Sequence, residues 1–119
     1  MRFSGIMIGS DDPHALASFY TKVLGEPRFN DGDWYGWDNG AQIMLGAHSE
    51  VKGKSDMPQR IMLMIEVDDV KATFEEMKAI GADVVAEPYM PQEGEEAFWL
   101  ATLADPDGNY FQLATPWSP

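Results

Sequence analysis

Few side chains in this 119-residue sequence can do chemistry. There are two histidines, His14 and His48, and no cysteine, which removes disulfides, thiolate metal ligands and a cysteine nucleophile together. His14 falls in the first turn of an expected helix, where a solvated ring needs no further role. His48 follows an expected strand and is a candidate ligand contact. Carboxylates cluster as Asp11-Asp12, Asp68-Asp69, Glu93 with Glu95-Glu96, and Asp105 with Asp107. Helix capping accounts for the first two pairs, a solvated charge run for the glutamates, and turn formation for the last. Tyr110 and Glu66 are the candidates for an acid–base step, which would need an enclosed site. No Ser/His/Asp order and no glycine-rich phosphate loop is present. The remaining assets are four tryptophans and eight methionines, apolar groups suited to holding a ligand rather than transforming it.

The charge balance narrows the partners. Twenty acidic against eight basic residues give a formal net charge of -12. A phosphate backbone would be repelled, which excludes nucleic acid, and an anionic membrane surface is disfavoured for the same reason. No run of about 18 apolar residues occurs, and the N-terminal residues lack the apolar core of a signal peptide, so a soluble cytoplasmic protein is expected. At 13.3 kDa the chain has the size of one domain with a real core.

The elements that must position these groups follow from periodicity. Asp12 as N-cap, Pro13 at the first helical position and Leu16, Phe19, Tyr20, Val23 and Leu24 at helical spacing predict a helix stopped by Gly25. Asp69, Val70, Phe74, Met77, Ile80 and Gly81 repeat that pattern. Strands are expected at Phe3–Ile8, Asp33–Trp37, Gln42–Leu45, Arg60–Val67, Val84–Ala86, Ala97–Leu103 and Tyr110–Ala114. The unbroken apolar run from Ile61 to Ile65 predicts burial on both faces. A shift of 57 residues lays Ile8-Gly-Ser-Asp-Asp12 on Ile65-Glu-Val-Asp-Asp69, and a shift of 68 lays Asn39-Gly40 on Asp107-Gly108 and Leu45 on Leu113. The 11 extra residues are expected in a loop around Pro88–Glu96. Each half therefore has the order βαβββ. The expected fold is α+β: module 1 at about residues 1–47, a linker at about 46–59 and module 2 at about 60–119, forming a curved mixed sheet around a cup with helices outside.

Ile8-Gly-Ser-Asp-Asp-Pro13, Ala17-Ser-Phe-Tyr-Thr-Lys-Val-Leu-Gly25, Ile65-Glu-Val-Asp-Asp-Val70 and Asp105-Pro-Asp-Gly-Asn-Tyr-Phe-Gln-Leu113 resemble the vicinal oxygen chelate superfamily. That superfamily includes glyoxalase I, extradiol dioxygenases, and fosfomycin- and bleomycin-resistance proteins. Its metal enzymes place ligands at four strand positions, which fall here on Gly5, Met44, Met62 and Gln112. Glycine offers no donor, methionine only a soft thioether and glutamine one neutral oxygen, so no metal cofactor is expected.

Strand alternation places Phe3 and Met7 with Gly5, Gln42 with Met44, Met64 with Met62, and Tyr110 and Ala114 with Gln112 on the cup face. Ile6, Ile8, Ile43, Ile61, Leu63, Ile65, Phe111 and Leu113 should lie under the helices. The candidate ligand contacts are Met7, Trp34, Trp37, Gln42, Met44, His48, Met62, Met64, Trp99, Tyr110 and Gln112, with Trp117 a further aromatic in the C-terminal tail. Aromatic rings beside an acidic surface favour a cationic aromatic ligand. The bleomycin-resistance branch, metal-free and homodimeric, resembles this description. The expected function is metal-free sequestration of a small aromatic, cationic compound, of the antibiotic- or self-resistance type. The alternatives are a glyoxalase-like lyase or isomerase acting on a small metabolite, and an interaction module with a filled cup.

Overall fold

The computed structural model describes residues 1–91 and 98–116. Its elements run β1 (Ile6–Ser10), α1 (Pro13–Leu24), β2 (Phe29–Asp31), β3 (Trp34–Asp38), β4 (Gln42–Ala47), β5 (Leu63–Glu66), α2 (Val70–Ala79), β6 (Asp83–Tyr89), β7 (Leu100–Ala104) and β8 (Tyr110–Ala114). The order βαβββ occurs twice, and the fold is α+β as expected. Contacts divide the chain into Met1–Lys54 and Ser55–Pro119, called here modules 1 and 2.

Module 1 holds a four-stranded mixed sheet in the order β1-β4-β3-β2, with β1 parallel to β4 and the other pairs antiparallel. Module 2 repeats it as β5-β8-β7-β6. The internal repeat extends to register: Met7 opposes Met44, and the 57- and 68-residue shifts carry that pair onto Met64 opposite Gln112. The third strands match at a shift of 66, because the β7–β8 turn is two residues longer than the β3–β4 turn. Buried Asp105 organises the longer turn, accepting from the amides of Asp107 at 2.9 Å and Asn109 at 3.0 Å.

Both helices start and stop where their residue types dictate. The Asp12 carboxylate accepts from the Ala15 amide at 3.3 Å, and that of Asp69 from the Ala72 amide at 3.1 Å. Gly25 and Gly81 follow the helices at φ 91° and 104°, values that favour glycine. Leu16, Ala17, Phe19 and Tyr20 of α1, and Val70, Phe74 and Met77 of α2, form the buried stripes, packed in module 1 with Leu45 and Trp37 and in module 2 with Leu103, Phe111 and Leu113. Replacing either capping aspartate by alanine should lower stability by about 1 kcal/mol, read as a reduced urea midpoint at unchanged slope.

Several boundaries differ from expectation. Residues 29–31 form a short strand with no apolar alternation to announce it. β1 starts three residues later than Phe3, which is exposed, and runs on to fully buried Ser10, whose hydroxyl accepts from the Asp12 amide. β4 continues through Gly46 and Ala47 because both pair with β1, so the expected linker begins later. Its first part is fastened to module 1 by the Gly53 amide, which donates to Asp11 at 2.7 Å. β5 is only four residues long; Ile61, expected under the helix, precedes it and is 73% exposed. Met64 is 63% exposed within that strand, so burial on both faces is not what module 2 shows. β6 extends through Pro88, which an edge strand with register shifts can absorb. Glu93, Glu95, Glu96, Trp117 and the expected strand start at Ala97 lie outside the described residues.

Candidate functional site

On the face of the module 1 sheet turned away from α1, pairing puts Met7 beside Met44 and Met44 beside Gly36. The glycines there are room for neighbours. A Cβ at Gly36 would stand 3.1 Å from the Met44 sulfur, and one at Gly46 would stand 2.3 Å from the Trp34 ring. The indole of Trp34 therefore lies against the Gly46 backbone, where any side chain would displace it. At the other end, a Cβ at Gly5 would stand 2.4 Å from the Gln42 carbonyl oxygen.

These residues border an open cavity of about 220 Å³, lined by Ser4, Gly5, Ile6, Met7, Trp34, Gln42 and Met44. Four sequence candidates, Met7, Trp34, Gln42 and Met44, thus meet in one place. No charged side chain lines the cavity; the Ser4 hydroxyl and the Gln42 amide are its polar side-chain groups. Such a lining stacks on a ring and adapts through thioethers, with the amide able to orient one polar group.

Trp37 is corrected out of this set. It lies three positions after Trp34, an odd offset, so the two indoles point to opposite faces of β3. Trp37 is 4% exposed, packs under α1 and donates from Nε1 to the Gly25 carbonyl at 2.8 Å. Tyr35 shares that face, stacked on Trp37 at 6.3 Å between centroids, and its hydroxyl is hydrogen-bonded to His14 Nδ1. His14 Nε2 lies 2.9 Å from Asp33. This Tyr35–His14–Asp33 chain was missed in the sequence; its signal was the strand parity of Tyr35 and the helical position of His14. It ties the first turn of α1 to β3. His48 lies outside the cavity lining, and its Nδ1 accepts from the Glu50 amide at 3.1 Å, shaping the turn after β4.

In module 2 the face turned from α2 carries exposed Met64, half-buried Gln112 opposite it, and half-buried Tyr110; half-buried Met62 precedes the ladder. Gln112 Nε2 donates to the buried Thr102 hydroxyl at 3.3 Å, which restrains the amide. Trp99 does not join this group. It precedes Leu100, which opposes Ala114, so its side chain takes the helix side, against Lys71 of α2.

The metal that the fold family implies does not fit these residues. In module 1 the positions are Gly5, where even a methyl group would collide with backbone, and the thioether of Met44. In module 2 they are the thioether of Met62 and the single neutral carbonyl oxygen of Gln112, whose nitrogen is held by Thr102. Neither module offers a hard donor set at these places, and no cluster of three or more His, Cys, Asp or Glu suited to a metal occurs among the described residues.

Two βαβββ modules, each a four-stranded mixed sheet with a helix on one face and the opposite face left open, match the vicinal oxygen chelate class. The family described as glyoxalase-like domain matches residues 5–114, and the chain belongs to it. Among solved structures it is similar to a glyoxalase/bleomycin resistance protein/dioxygenase family enzyme from Burkholderia phytofirmans, at 25% identity and a TM-score of 0.73 over 94% of this chain and 96% of that one. A glyoxalase-related enzyme from Fulvimarina pelagi matches at 21% identity and a TM-score of 0.76, covering 98% and 89%. A bleomycin-binding protein complexed with bleomycin matches at 20% identity and a TM-score of 0.61, covering 98% and 100%. No curated protein matches the sequence. No helix among the described residues is long and apolar enough to cross a membrane.

Proposed function

We propose that this chain is a metal-free, homodimeric cytoplasmic protein that binds a small aromatic, cationic compound and sequesters it without chemistry, as a drug- or self-resistance protein does. The observation that carries this reading is the module 1 cavity, in which Trp34, Met7 and Met44 supply stacking surface and Gln42 a neutral polar contact, with no carboxylate, imidazole or other ionisable side chain in the lining. The net charge of -12 attracts a cation to the protein, and the likeness to a bleomycin-binding protein supports the ligand class. Met62, Met64, Tyr110 and Gln112 offer a second apolar surface of similar character on module 2.

Titration of intrinsic tryptophan fluorescence and melting temperature against cationic aromatic antibiotics, bleomycin included, tests the reading. A saturable quench with a raised melting temperature, weakened by salt, is the expected result. A flat response across the panel contradicts it. One observation favours a second reading, a glyoxalase-like lyase or isomerase. Glu66 shares the open face of module 2 with Met64, and its carboxylate carries no hydrogen bond among the described residues. A metal-free proton transfer would use Glu66 or Tyr110. Turnover of a small carbonyl substrate, lost in Glu66→Gln, would establish it.

A further inference from the structure

Module 2 contains a second cavity, of about 330 Å³, lined by Asp68, Asp69, Val70, Lys71, Trp99 and Thr115. One wall is the Trp99 ring. Thr115 fixes its backbone from both sides, the Trp99 amide donating to the Thr115 hydroxyl at 3.0 Å and the Thr115 amide to the Trp99 carbonyl at 3.1 Å. The ammonium of Lys71 stands 3.9 Å from the ring centroid. It does so although two aspartates share the cavity, and it forms no ion pair with either among the described residues. Asp69 spends one carboxylate oxygen on the Ala72 amide. The Asp68 carboxylate, exposed at the rim, carries no hydrogen bond among the described residues.

The internal repeat gives a reference for this contact. The 57-residue shift lays Lys71 on His14, and the 66-residue shift of the third strands lays Trp99 on Asp33. In module 1 the basic group at the second helical position meets a carboxylate at 2.9 Å; in module 2 it meets the face of an indole. A solvated indole face holds a cation loosely and accepts any cation of the right size, methylated ammonium groups above all.

We infer that the Trp99 face is a binding site for an alkylated ammonium cation, and that Lys71 is its built-in competitor. A ligand cation enters the cavity, displaces the Lys71 ammonium from the ring and is accompanied by the free Asp68 carboxylate at the rim. The site is separate from the module 1 cavity and does not rest on the reading of that cavity. It takes a compact cationic head, where Trp34 and its methionines take a ring.

The test is titration of the full chain with tetramethylammonium chloride against matched sodium chloride, following the indole N–H resonance of Trp99. Its assignment comes from Trp99→Leu. The expected result is a saturable shift of that resonance with tetramethylammonium and none with sodium. Lys71→Gln, which removes competitor and like-charge repulsion together, should tighten binding about two- to fivefold. Trp34→Leu should leave the response unchanged. Equal shifts from both salts, or unchanged or weakened binding in Lys71→Gln, would overturn the site and leave Lys71 a structural clamp. Loss of the response in Trp34→Leu would overturn its location. The Lys71→Gln result decides the matter even where Trp99→Leu lowers the melting temperature too far for assignment.

Discussion

Trp37→Ala is expected to lower stability by about 3–5 kcal/mol, while Trp34→Ala, three residues earlier, lowers it far less and abolishes the ligand-induced quench. The contrast follows from strand parity. Trp37 fills the space under α1, is 4% exposed and satisfies the Gly25 carbonyl at the helix end. Its removal leaves a cavity and an unpaired acceptor together. Trp34 is half-buried on the opposite face, against the Gly46 backbone, where its ring is a cavity wall rather than core. Chemical denaturation and the fluorescence titration, run on both variants, separate the two roles. A large stability loss at Trp34 with ligand affinity intact would mean that the cavity is packing and not a site.

Gly5→His is expected to destabilise the chain by about 1–3 kcal/mol or more and to bind no metal. A histidine here would supply the imidazole donor that a divalent metal takes and that Gly5 lacks. Yet the first atom of its side chain would stand 2.4 Å from the Gln42 carbonyl oxygen and 2.9 Å from the Gln42 Cβ. Backbone cannot yield as a flexible side chain would, so β1 and β4 must separate before the imidazole fits. Urea unfolding with and without excess Zn(II) or Mn(II) reads both parts. A stable variant whose midpoint rises with metal would show that the strand end adapts and that the missing donor alone had kept metal out.

The repeat made most of the architecture readable in the residues themselves. One shift of 57 carries cap, proline position and strand end from module 1 to module 2, and the same shifts reproduce the observed strand register. What periodicity could not supply was where ladders begin and end. Phe29-Asn30-Asp31 pairs with β3 without any apolar alternation, and the apolar Ile61-Met62 precedes its ladder rather than joining it. The cavity was partly readable: Met7, Gln42 and Met44 follow from parity about Gly5. Trp34 and Trp37 could have been separated by the same rule, since an odd spacing within one strand never shares a face. The meeting of Lys71 with Trp99 was not readable from either segment alone, because it depends on the register of β7 against β8 and on where α2 starts.

Calorimetric titration of a cationic aromatic ligand such as bleomycin into chelator-treated protein, repeated after loading with Zn(II), Ni(II) or Mn(II), bears most directly on metal-free binding. The same affinity with and without metal, and its loss in Trp34→Ala, is the predicted result. Binding that appears only in the metal-loaded protein, with stoichiometric metal retained, would contradict it.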